Sequence, residues 1–146
     1  MFIGRVCLSL VFLFSFVHKI FNWDGSYNYL KEGISYWVSY TVNFPQIQRV
    51  VEQMESLSPI LLLMAAILEG LGGILVLLGV KVKTGALLLI LFLIPVTFIC
   101  HPFWLVSSGQ EQLQMVMFLK NIGILGGLFI LVAQPMRKSS SREEEE

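Results

Sequence analysis

Four short stretches place groups able to hold a proton, an anion or a metal inside runs that are otherwise apolar. They are His18 and Lys19 in "FSFVHKIF", Glu69 in "MAAILEGLGG", Cys100 and His101 in "TFICHPFW", and Lys120 with Asn121 in "MFLKNIGILGG". A carboxylate in such a run can relay a proton, an ammonium can neutralise an anionic ligand, and an imidazole can exchange protons or ligate a metal. No metal site is expected: there are two histidines in all, neither HxxxH nor HExxH occurs, and neighbours on a helix point about 100° apart. Thiol chemistry is not expected either. Cys7 and Cys100 lie at opposite ends of their runs, roughly 20 Å apart in depth at helical rise, whereas a disulfide needs Cα atoms within about 7 Å. Cys100 reads as a small packing residue.

Glu69 and Lys120 invite pairing. Ala65, Glu69, Gly72 and Gly73 share one helical face, as do Lys120, Gly123 and Gly127, so each run carries a charge on a small-residue face suited to close helix contact. A charge inside a bilayer costs roughly 2.5–3.5 kcal/mol on insertion scales and usually pairs. Glu69 lies about 16 Å along its helix and leans back toward the helix start. We expect a Glu69–Lys120 interaction, direct or through one water or polar side chain, serving either as a structural ion pair or as a proton-linked or ligand-binding pair. Thr97, one turn before His101, can share that residue's face. The aromatic residues Trp23, Tyr36, Trp37, Tyr40, Phe103 and Trp104 suit an interfacial belt or the mouth of a site for an amphipathic ligand.

The elements that must position these groups are membrane helices. Of 146 residues, 55% are hydrophobic and 14% charged, against about a quarter charged in soluble domains; mean hydropathy is +0.75. Several apolar runs reach the roughly 20 residues that cross a bilayer as a helix. The pattern predicts an all-α, integral membrane bundle of four transmembrane helices, over about 2–21, 57–78, 84–104 and 113–133, forming one domain, 1–136. A charged tail, 137–146, reads as disordered. The connector 22–56 is polar and aromatic. "YLKEGISYWVSY" suits an amphipathic interfacial helix, Pro45 breaks it, and "QIQRVVEQMESLS" suits a second short helix. The first span lacks a small-residue cleavage site and is expected to be retained.

Basic residues set the orientation. Arg5, Lys81, Lys83, Arg137, Lys138 and Arg142 fall on one side, and Lys19, Lys31 and Arg49 on the other. Both termini are therefore expected in the cytoplasm, with the connector and "HPFW" facing outward.

The motifs together resemble the DoxX family. "IGRVCLSLVFLFSFVHKIFN" is similar to its opening, with Gly-Arg near the start and a lysine after the apolar run. "ILEGLGGILVLLGVKVKTGALLL" is similar to its glutamate, glycines and basic hairpin, and "HPFW" and "FLKNIGILGGLFIL" to its later motifs. Val17-His18 stands where the family commonly has glycine, and the connector is longer and more aromatic. The resemblance implies a four-helix bacterial inner-membrane protein, some of whose relatives are subunits of thiosulfate:quinone oxidoreductases. It marks Arg5, Glu69, His101, Trp104, Lys120 and Asn121 as motif positions.

Three functions are consistent with these features. The first is a subunit or assembly partner of a quinone-linked redox complex, with a polar intramembrane site at Glu69, His101, Trp104, Lys120 and Asn121, and Arg5, His18, Lys19 and Thr97 as secondary positions. With no flavin, haem or iron–sulfur motif, no intrinsic cofactor is expected beyond a bound quinone, and electrons would come from a partner. The second is a non-catalytic scaffold, and the third a small-solute carrier. The expected partners are the lipid bilayer, oxidoreductase subunits and further copies of the chain, not nucleic acid.

Overall fold

The computed structural model describes residues 2–107 and 109–134, so the tail expected to be disordered lies outside the described residues. Within them the chain is all-helical: α1 (Phe2–Phe21), α2 (Trp23–Thr41), α3 (Pro45–Ser56), α4 (Ser58–Leu78), α5 (Val82–Cys100) and α6 (Glu111–Ala133). Helices α1, α4, α5 and α6 are each long and apolar enough to cross a membrane. Their outward faces carry large apolar side chains, such as Phe14 (71% exposed), Leu91 and Ile130. An apolar exterior of this extent belongs against lipid, and the chain is a multi-pass membrane protein.

Local chemistry sets the breaks. Asn22 leaves helical geometry at φ −131° and separates α1 from α2. Pro45 opens α3 and Pro59 the first turn of α4, where a missing N–H costs nothing. Gly79 ends α4 in the left-handed region at φ 75°, which glycine enters without a Cβ penalty. The third span stops at Cys100 instead of running on toward 104. The His101 N–H still reaches the Thr97 carbonyl at 3.2 Å, but Pro102 has no donor and disfavours helical geometry in the residue before it, and His101 sits at φ −127°, ψ 48°. His101 and Trp104 thus lie beyond the spanning helix.

The four long helices form an open ring in the order α1, α4, α5, α6. Helix α4 packs on both α1 and α5, and α5 on α6, while α6 and α1 touch only slightly. Gly72 and Gly85 bring α4 and α5 together: a Cβ at Gly72 would stand 2.8 Å from Leu89 and 3.0 Å from the Gly85 carbonyl. Helices α2 and α3 pack on each other and on the ends of the bundle, forming a cap. The cap end is where α1 and α5 finish and α4 begins; the opposite end holds the 79–81 hairpin. Gly33 of α2 lies so close to α5 that a Cβ would stand 2.6 Å from the Ile99 carbonyl. Two apolar clusters result. One lies among the long helices, around Phe12, Val76, Leu89 and Leu128; the other lies under the cap, around Leu30, Ile34, Val51, Leu62 and Cys100.

Candidate ligand cavity

A cavity of about 730 Å³ lies in the cap half of the bundle, within the range of small-molecule sites. Its walls are mostly apolar, from residues such as Phe12, Leu68, Phe92 and Val96, and its polar side chains are Ser15, His18, Lys19, Asn22, Ser26, Tyr29, Glu69, His101, Lys120 and Asn121.

Glu69 is 1% exposed, and its partner is Lys19, not Lys120: Lys19 Nζ lies 2.6 Å from Glu69 Oε2. Lys19 also donates to Ser15 Oγ at 2.7 Å and stands 5.3 Å from the Phe92 ring centroid, a cation–π contact. Helix direction and ring order together explain the choice. Side chains lean toward the start of their own helix. Helix α4 begins at the cap, so Glu69 leans capward, and α1 ends at the cap, so Lys19 leans down to meet it. Helix α6 begins at the cap as well, so Lys120 leans the same way as Glu69; what separates them is the ring order, in which α4 contacts α1 and α5 but not α6. Lys120 is exposed, with Nζ 3.5 Å from Met117 Sδ. The close-packing face expected around it is also absent: a Cβ at Gly123 would meet nothing within 4 Å, and one at Gly127 would meet only Leu8.

Asn121 is buried and donates from Nδ2 to Thr97 Oγ1 at 3.1 Å, while the Thr97 hydroxyl donates to the Leu93 carbonyl at 2.6 Å. This polar ladder ties α5 to α6.

His101 faces inward at 8% exposure. Its Nδ1–H donates to Gln114 Oε1 at 2.8 Å, and the Tyr29 hydroxyl, 3.3 Å from the same nitrogen, donates to the Cys100 carbonyl at 3.4 Å. With Nδ1 protonated in the neutral ring, Nε2 is the acceptor. Burial holds the imidazole below its ordinary pKa of 6.5; the Gln114 bond opposes this and the Lys120 charge adds to it. Burial also pushes the Tyr29 phenol up to about 12, so it remains a donor.

Trp104 stands apart from the cavity. It stacks edge-on with Trp37 (6.2 Å), Phe103 (4.9 Å) and Phe118 (5.6 Å). The Trp37 indole donates to the Phe98 carbonyl at 3.1 Å, so this cluster fastens α2 to the end of α5. Arg5 lies at the other end of the molecule, with its guanidinium against Gly79. His18 is exposed at the cavity edge. Among the described residues, no three His, Cys, Asp or Glu side chains gather closely enough to hold a metal ion.

Sequence reasoning thus named Glu69, His101, Lys19, Lys120, Asn121 and Thr97, but missed Ser15, Tyr29 and Gln114. Ser15 was legible as the residue one turn before Lys19. Tyr29 and Gln114 carried no local signal, because they reach His101 only through tertiary packing.

No curated protein and no solved structure matches the chain. The family model described as DoxX matches residues 1–102. The match takes in α1 to α5, with the Lys19–Glu69 pair and His101, and stops before α6, so the resemblance drawn from "FLKNIGILGGLFIL" lies outside it. By a match over more than two thirds of its length, the chain belongs to the DoxX family.

Proposed function

We propose that this chain is the quinone-binding membrane subunit of a redox complex, and that the cavity between α1, α4, α5 and α6 holds the quinone head. The observation that carries the reading is the Lys19–Glu69 pair in the wall of an otherwise apolar cavity. The chemistry of the residues fits such a head. Aromatic and aliphatic walls suit a flat apolar ring, and its two carbonyl oxygens need donors. An ammonium has three N–H groups; Lys19 commits two of them, to Ser15 and Glu69. Bound there, a quinone would accept electrons and protons from elsewhere. Glu69 holds and orients the Lys19 ammonium, the remaining Lys19 N–H donates into the cavity, and His101 presents Nε2 as an acceptor for a quinol hydroxyl. Electrons come from a partner subunit.

By the basic-residue count, the termini and the 79–81 hairpin face the cytoplasm and the cap faces outward; the family resemblance implies a bacterial inner membrane. Gentle purification followed by mass spectrometry tests the reading. A retained quinone together with an oxidoreductase subunit is expected; a bundle carrying only phospholipid and no partner would contradict it.

The same pair also supports a scaffold role. The Lys19–Glu69 pair joins residues 50 apart in sequence and ties α1 to α4 with no ligand required. On that reading, variants that fold without the pair retain full function.

A further inference from the structure

The ring of long helices is incomplete at one seam, and the cavity lies behind it. Leu8, Val11, Ser15 and His18 follow one another at helical spacing along α1, and Lys120, Ile124 and Gly127 do so along α6. The two stripes come together at Gly127, where a Cβ would stand 3.4 Å from Leu8, and the two helices otherwise touch only slightly. Toward the cap the cavity lies between them: Val11, Ser15 and His18 line it from one side, and Lys120 and Ile124 from the other. Val11 is 47% exposed and Lys120 is exposed, so the cavity reaches the outside of the bundle between them, at a level where the exterior is apolar.

We propose that the α1–α6 seam is a lateral portal, through which a ligand with an apolar chain passes from the bilayer, leaving its chain lying between Val11 and Ile124. This rests on the quinone reading of the cavity and adds to it the class of ligand: a membrane-phase quinone that is recognised by its tail as well as its head. A head seated at the Lys19–Glu69 pair lies between α1, α4 and α5, which pack firmly in that order, and its substituent has open space toward the seam, where α6 and α1 touch only slightly. Lys120 stands at the mouth with no carboxylate near enough to form a salt bridge among the described residues. Its long stem can lie along apolar surface while its charge seeks the interface, which leaves the opening below it clear.

The test compares two quinones with the same head, one bearing a ten-carbon chain and one without a tail. Both are titrated into the full chain in nanodiscs, with tryptophan fluorescence as the readout. Val11→Trp fills the seam from an exposed position, and Phe14→Trp, exposed and outside the cavity, is the control. The seam variant is expected to weaken the tailed quinone about tenfold, the loss expected when roughly two methylenes leave an apolar groove, and to change the tail-less one less than twofold. A bifunctional thiol cross-link between Val11→Cys and Ile124→Cys, in a Cys7→Ser background, is expected to give the same split. Equal loss for both quinones, or no loss for either, overturns the portal and leaves the cavity reading standing. Failure of the unmodified chain to bind either quinone overturns the cavity reading, and the portal with it.

Discussion

Helices α4 and α6 carry nearly the same device: one charged residue followed by a run of glycines, "EGLGG" in one and "KNIGILGG" in the other. In α4 the charge is buried and paired, and the glycines are filled by neighbours, Gly70 by Phe16, Gly72 by Leu89 and Gly73 by Leu13. In α6 the charge is exposed, and Gly123 and Gly126 face nothing within 4 Å. Place in the ring separates the two. Helix α4 has α1 on one side and α5 on the other, whereas α6 has only α5 as a firm neighbour. A small-residue face is an opportunity for close approach, and it becomes an interface only where the topology brings a second helix to it.

The largest expected difference between the two regions lies in their charges. Lys19→Met leaves the Glu69 carboxylate buried without its partner, a change that costs about 3–5 kcal/mol in comparable pairs. Lys120→Met removes an exposed charge and is expected within about 0.5 kcal/mol of the parent. Unfolding by sodium dodecyl sulfate in mixed micelles reads both; similar losses would erase the distinction. The glycines come next. Gly72→Ala forces α4 and α5 apart and is expected to cost about 1–3 kcal/mol. Gly123→Ala meets only open space and is expected to stabilise α6 by up to about 0.8 kcal/mol through helix propensity. Destabilisation by Gly123→Ala in the same assay would place a neighbour on that face. Asn121→Ala deletes the buried bond to Thr97 that holds α6 to α5, at about 1 kcal/mol.

The smallest effect is on pH. His101 lies one residue beyond α5 and is held neutral by burial, so its folded pKa is below the ordinary 6.5. The unfolded chain therefore takes up a proton first as pH falls below 6.5, and stability is lost from there down to the folded pKa. His101→Gln is expected to flatten that part of the stability profile; an unchanged profile would show that His101 does not set it.

The spans were legible because their apolar runs are long and their breaks fall at Asn22, Pro59, Gly79 and Pro102, where local chemistry decides the outcome. The end of α5 needed closer reading: the run stays apolar past Cys100, but the proline ahead constrains His101. Glu69 and His101 were legible as costly polar groups in apolar runs. The partner of Glu69 was not, because depth and lean along each helix do not say which helices are neighbours. The lean turns Lys19 toward Glu69, and the ring order sets α1, not α6, beside α4. Tyr29 and Gln114 were illegible for another reason: their approach to His101 depends on how α2 and α6 pack on the end of α5.

The most direct test of the account is the double variant Lys19→Met with Glu69→Gln, measured for both stability and quinone binding. Removing both charges leaves no uncompensated ion, and stability is expected to return to within about 1 kcal/mol of the parent. If the pair holds the quinone head, this folded variant binds the quinone at least about tenfold more weakly, the loss of one hydrogen bond to a charged donor. Full binding by the folded double variant would contradict the account and leave the pair a lock between α1 and α4.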